Sequence, residues 1–241
     1  MMIRFLGNWS SNIIKSKRNI SFTIDGKIVF DFGPHTIESL LDLNIDPCNI
    51  EKVLITHMHL DHYSGISELL WYRSIHKAEK RLFILGPRGI KRNTELLMRV
   101  LKTPKPWYKE QIDTNTTYIE DKGVDSIEVF HGRHLVPDNG YRIDYKGKII
   151  FYSGDTAYSK DIVKGASNAD YLIHEMTYTD DDEKFARYWK HSTYSTAMKV
   201  FEESGAKKLV PVHLSTKSNL LALKLSKERK DIIYPEKSIK L

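Results

Sequence analysis

Three histidines and an aspartate fall within six consecutive positions, His57, His59, Asp61 and His62, in the run Thr56-His-Met-His-Leu-Asp-His62. Imidazole and carboxylate are donors suited to zinc and related divalent ions, so this density points to a metal centre rather than a solvated loop. No cysteine lies nearby, which argues against a thiolate zinc site or an iron–sulfur cluster. Along an extended turn alternate residues face the same way, which groups His57, His59 and Asp61; the start of a following helix turns His62 in beside Asp61. Two adjacent ions can share such a turn. Each needs about four contacts, with water filling some, so further donors must come from elsewhere.

The elements that position these residues can be read around them. Glu51–Thr56 is a short apolar, β-branched run and predicts a buried strand leading into the motif. Beyond it, Ile66, Leu69, Leu70, Arg73 and Lys77 fall near helical spacing, predicting a helix capped by Ser64 or Ser67. Three more candidate ligands follow apolar runs: His134 after Glu128–Phe130, Asp155 after Ile149–Tyr152, and His213 after Leu209–Val212. His131 competes with His134 for one role, and Asp155 in Ser-Gly-Asp-Thr could instead cap its own turn. Gathering donors from several strand ends is how a sheet builds one site from distant sequence.

This order of motifs resembles the metallo-β-lactamase superfamily, whose members carry T-H-x-H-x-D-H, then a lone His, a bridging Asp and a final His. The resemblance implies an α/β fold, the αββα sandwich, in agreement with the alternation of strands and helices along the chain. It implies that His57, His59 and His134 hold one ion and Asp61, His62 and His213 the other, with Asp155 and a hydroxide between them. It favours His134 over His131, because the family places this ligand before a G-Y-R sequence, here Gly140-Tyr141-Arg142.

The resemblance is closest to ribonuclease Z and its phosphodiesterase relatives. Leu85-Gly-Pro-Arg-Gly-Ile90 resembles that branch's G-P-x-G segment, His174-Glu-Met-Thr177 its H-E-A-T motif, and His191-Ser-Thr193 its H-S-T motif. The helix expected after His191, capped by Ser192 or Thr193 and stopped by Gly205, places His191 at a helix N-terminus, where phosphate is favoured. The implied chemistry is phosphodiester hydrolysis. Asp61 orients the attacking hydroxide as well as binding metal, and His191 assisted by Glu175 protonates the departing oxygen.

Departures from the branch narrow the substrate. Only 21 positions lead from His134 to Asp155, and they read as a hairpin turning at Lys146-Gly147. Ribonuclease Z carries a long arm in this interval that grips tRNA, and there is no room for one here. The glycine-rich opening of the family is replaced by Phe5-Leu-Gly-Asn-Trp-Ser-Ser11, and the later D-x-G-E-G-T-Q by Asp31-Phe-Gly-Pro-His-Thr36. In this the chain resembles armless phage and bacterial phosphodiesterases of the anti-Pycsar type, which implies cyclic nucleotides as substrate. A tRNA 3′ endonuclease is the alternative, and a lactonase or thioesterase of the same fold a second.

Bulk properties agree. The 241 residues contain no linker-like stretch or repeat, which predicts a single metallo-hydrolase domain over 1–241. A net charge of +6 suits an anionic substrate. One cysteine, Cys48, rules out an internal disulfide and fits a reducing cytoplasm; no apolar run spans a bilayer and no secretory signal is evident. Lysines alternate with Trp107 and Tyr108 between Lys102 and Lys109, where the rings either stack a base or pack a loop. Lys224–Lys230 reads as a solvated helix face. The expected cofactors are two divalent ions, zinc first and manganese second. The expected partners are a nucleotide or RNA phosphodiester and, with the helix around Trp71 and Tyr72 as interface, a second copy in a homodimer.

Overall fold

A computed structural model of the chain describes residues 2–235 and 238–240. Among them, seven strands form one sheet: β1 (Met2–Gly7), β2 (Ser21–Ile24), β3 (Ile28–Phe30), β4 (Lys52–Leu54), β5 (Leu82–Gly86), β6 (Thr116–Glu120) and, beyond β1 at the edge, β12 (Ser238–Lys240). Five form the second: β7 (Ile127–His131), β8 (Asn139–Tyr145), β9 (Lys148–Tyr152), β10 (Tyr171–Glu175) and β11 (Leu209–Val212). Strands β3 to β6 run parallel to one another, as do β9 to β11. On the first sheet lie helices α1 (Thr36–Asp42), α2 (Leu60–Tyr63), α3 (Ile66–Ile75), α4 (Ile90–Val100) and α5 (Lys105–Trp107). Helices α6 (Lys160–Gly165), α7 (Glu183–Trp189), α8 (Tyr194–Ser204) and α9 (Thr216–Glu228) accompany the second.

Period-two side-chain alternation divides the apolar residues into layers. In β3, Ile28 and Phe30 face the other sheet, while Val29 faces the helices. In β9, Ile150 and Tyr152 face inward and Phe151 meets Ile162 of α6 and Phe201 of α8 on the outer side. The inter-sheet layer includes Phe22 stacked on Phe30 at 4.4 Å, with Tyr152 edge-on to both. Truncating a buried ring such as Phe22 to alanine costs about 3–5 kcal/mol. These layers make the αββα sandwich expected from the sequence.

Two tyrosines from the second sheet fasten it to the first directly beneath the histidine motif. Tyr141 Oη donates to the Ile55 carbonyl at 2.7 Å, and Tyr152 Oη to Asp31 Oδ2 at 2.7 Å. Both hydroxyls are buried, so each bond also removes an orphan polar group. The hairpin over Lys146-Gly147 forms as expected, with both residues at positive φ, and Thr193 and Gly205 cap α8.

The helix after the motif differs from the sequence reading. A separate turn, α2, comes first, and α3 begins at Ile66 with Gly65 at its cap, so neither Ser64 nor Ser67 caps it. Packing decides this start: Gly65 N donates to Phe32 O at 2.9 Å, and a Cβ on Gly65 would lie 2.3 Å from Gly33 O.

Candidate metal centre

The residues of the centre emerge from strand ends at one rim of the sandwich. Asp31 follows β3, Thr56–His62 follows β4, Asp155 follows β9, Glu175 ends β10 and His213 follows β11. Crevices outside the carboxyl ends of parallel strands are where such sheets assemble sites.

All seven predicted ligands converge there. His57, His59 and His134 place one donor atom each within 4.8 Å of one another, and so do Asp61, His62 and His213; Asp155 joins His57 and His62 in a third such group. His213 Nε2 lies 3.3 Å from both Asp61 Oδ2 and Asp155 Oδ2, and His57 Nε2 is 2.9 Å from His59 Nδ1. His131 is exposed on β7, away from these groups, and His134 is the buried one of the pair. Asp155 is likewise buried within the cluster.

The inward direction of each ring is fixed from behind. His57 Nδ1 meets Asp138 Oδ2 at 2.9 Å, and His62 Nδ1 meets Asp31 Oδ2 at 2.8 Å. His134 Nδ1 meets the Lys190 carbonyl at 3.2 Å. Thr177 Oγ1 has one proton, which it donates to Glu175 Oε2 at 2.6 Å. It must therefore accept from His213 Nδ1 at 2.8 Å, which turns His213 Nε2 toward the carboxylates of Asp61 and Asp155. Such partners behind metal-binding histidines fix tautomer and ring orientation.

This arrangement fits divalent cations. His62 Nε2, 3.3 Å from Asp155 Oδ2 and 3.4 Å from Asp61 Oδ2, is buried without a hydrogen-bond partner, as is Asp155 Oδ1. Burial keeps His57, His59 and His134 below their ordinary pKa, in the neutral form that can ligate. Burial opposes the charge on Asp61 and Asp155 too, yet His62 and His213 hold both carboxyls well below the usual range. At His62 burial is outweighed by Asp155, Asp31 and Asp61, which push it well above its usual value. A proton there compensates buried carboxylates that a metal cation can compensate instead.

Beside the cluster, Glu175 Oε1 accepts from His191 Nδ1 at 2.9 Å and from Thr156 N at 2.7 Å. Burial disfavours charge on His191, but Glu175 prevails and the imidazole is pushed up to about 9. Its ring stacks on that of His213 with centroids 5.3 Å apart.

The sequence reading missed Asp31, Asp138, Thr56 and Thr177. Thr56 donates to Asp31 from both its backbone N, at 2.8 Å, and its hydroxyl, at 2.9 Å. A usable signal existed for Asp31, which follows the apolar run Ile28–Phe30 just as the chosen ligands follow theirs. The aromatics of the lysine-rich segment turn out to pack. Trp107 meets Trp71 edge-on at 5.3 Å, and Tyr108 lies partly buried beneath Arg99.

Comparison with known proteins agrees with this geometry. Residues 27–214 match the Beta-lactamase superfamily domain. Ribonuclease Z of Streptococcus pneumoniae is 31% identical over 293 aligned positions that cover 96% of this chain and 94% of that protein. The alignment exceeds the 241 residues here, so the relative carries several dozen residues without a counterpart. The structure of human tRNase Z, short form, superposes with a TM-score of 0.80 at 23% identity, over 100% of this chain and 99% of that one. A diphosphatase from the PhnP family superposes with a TM-score of 0.71 at 16% identity, over 100% and 97%. Among the described residues, no helix is long and apolar enough to cross a membrane. The chain belongs to the beta-lactamase superfamily, in the ribonuclease Z-like phosphodiesterase branch of its metal-dependent hydrolases.

Proposed function

We propose that this chain hydrolyses the phosphodiester of cyclic nucleotides at a two-cation centre. The observation that carries the catalytic reading is the convergence of seven donors beside the Glu175–His191 pair. In it, His57, His59 and His134 would hold one cation and Asp61, His62 and His213 the other, with Asp155 available to both. Zinc is the first choice because the donors are imidazole and carboxylate without thiolate, and manganese the second. When bound, the two ions supply Lewis acidity toward the phosphoryl oxygens and lower the pKa of water toward ~7.

The protein side chains do the rest. Asp61 accepts a hydrogen bond from the attacking water and orients it. His191 carries its proton at neutral pH because Glu175 faces Nδ1, so Nε2 can donate to the departing oxygen. Glu175 cannot rotate away, since Thr156 N holds one oxygen and the Thr177 hydroxyl the other. Without that donor a departing alkoxide would leave unprotonated, which is costly at a phosphodiester.

The substrate reading rests on the interval from His134 to Asp155, where β8 and β9 close through Lys146-Gly147 with no protruding arm. A compact rim suits a small nucleotide. The names of its relatives favour tRNA 3′ processing as a second reading. We also propose a homodimer; exposed Leu96 and Val100 of α4 and Leu101 just after it, the last lining a groove beside Trp71, offer it apolar surface. A metal-supplemented screen separates the readings, using cyclic mononucleotides, cyclic dinucleotides, an aryl phosphodiester, pre-tRNA, a lactone and a thioester. Turnover of cyclic nucleotides supports the proposal. Cleavage of pre-tRNA alone, or of the lactone or thioester alone, contradicts it.

A further inference from the structure

Helix α7 buries a single side chain, Ala186, while Phe185, Tyr188 and Trp189 are 60%, 72% and 46% exposed. Three large rings on one short helix contribute almost nothing to any core, and exposed apolar surface of this kind marks an interaction site. The rings of Tyr188 and Trp189 meet at right angles, 4.9 Å apart, and form an open aromatic corner.

This corner is tied to the catalytic rim. Lys190, at the end of α7 with φ 54°, accepts from His134 Nδ1 through its carbonyl and donates from Nζ to the His134 carbonyl at 3.1 Å. His191 N in turn donates to Ala186 O at 2.9 Å. Trp189 is two residues from His191, so their Cα atoms are at most about 7 Å apart. A phosphate held at the cluster therefore has its nucleoside within reach of the corner.

Resting on the phosphodiesterase reading above, we infer that Tyr188 and Trp189 form the platform on which the base of the substrate nucleotide stacks. Aromatic faces accept any base. The charges around the helix are balanced, since Asp182 pairs with Lys217 and Glu183 with Arg187, each at 2.9 Å. A mononucleotide keeps its phosphate at the cations and presents only an uncharged base to this helix.

The test compares binding of adenosine 5′-monophosphate and ribose 5-phosphate to the zinc-loaded protein, by calorimetry, in wild type, in Tyr188→Ala/Trp189→Ala and in Trp189→Phe. The two ligands share a phosphate and differ in the base. Wild type is expected to prefer the nucleotide by about tenfold or more. The double variant should lose that preference while keeping its affinity for ribose 5-phosphate, and Trp189→Phe should retain most of it. No preference in wild type, a preference that survives in the double variant, or equal weakening of both ligands overturns the inference. So does a dimer that dissociates only in the double variant, which would assign the face to a second copy of the chain. Binding is read without turnover, so failure of the platform and failure of the cyclic-nucleotide reading are seen separately.

Discussion

Glu175 and His191 meet at 2.9 Å between Oε1 and Nδ1, and the same carboxylate reaches His213 through the Thr177 hydroxyl. One buried side chain thus orients both a proposed proton donor and a proposed metal ligand. The two roles separate by mutation. His191→Ala should lower kcat by about 10²–10⁴-fold with metal content unchanged. His59→Ala should lose metal and turnover together. An His191→Ala enzyme with full activity would remove His191 from the mechanism.

The same pair has a pH signature in the metal-free protein. An isolated histidine titrates near 6.5 and His191 at about 9. Its folded-state value is the higher one, so the pair's contribution to stability is complete below about 6.5 and is lost as pH rises through about 9. Histidine NMR titration should show the raised value in wild type and a marked fall in Glu175→Gln. An unchanged titration in the variant would assign the shift elsewhere.

Asp31 and Asp138 act from behind the proposed ligands. Asp31 orients His62 and also takes hydrogen bonds from Thr56 and Tyr152, so it joins both sheets to the metal turn. Asp31→Asn and Asp138→Asn should each weaken metal binding by about 10–100-fold without deleting a ligand. Competition against a chelator of known affinity measures this, and undiminished affinity in both variants would contradict the positioning role.

His62 predicts a proton released on metal binding. Asp155, Asp31 and Asp61 outweigh burial and hold it charged when no cation is present, whereas a ligating imidazole must be neutral. Calorimetric heats of zinc binding should therefore vary with the ionisation enthalpy of the buffer, and affinity should rise with pH. Heats independent of buffer would show that His62 is already neutral.

How much of this was legible in the sequence follows the distance between cause and residue. His57, His59, Asp61 and His62 are contiguous, so their chemistry showed directly, and His134, Asp155 and His213 were found because each follows a strand-like run. The hairpin at Lys146-Gly147 and the caps of α8 were also local features. Asp31 carried the same signal, following Ile28–Phe30, and was passed over, whereas Asp138 and Thr177 escaped because their roles exist only after the strands beside them are set side by side. Trp107 could be read two ways because a lone sequence does not reveal that Trp71, 36 positions earlier, supplies a partner at 5.3 Å. The start of α3 was missed for the same reason, being set by Gly65 against the backbone of Phe32 and Gly33.

Gly33 makes that tertiary dependence testable. A Cβ there would fall 1.9 Å from the Asp61 carbonyl oxygen, so the backbone that carries Asp61 and His62 must move to admit alanine. Gly33→Ala should cost about 1–3 kcal/mol of stability, as overpacking does, and should weaken the Asp61–His62–His213 half of the centre more than the other half. Thermal melts and metal stoichiometry check both parts, and a variant identical to wild type in each would contradict the packing.

The central claim is that the seven converging side chains hold two cations. Anomalous diffraction on either side of the zinc edge, from crystals grown with zinc, tests it most directly. The account predicts two peaks about 3.5–4 Å apart. One should lie among His57, His59 and His134, the other among Asp61, His62 and His213, with Asp155 touching both. An absence of peaks at this rim, or zinc bound only elsewhere on the protein, would contradict it.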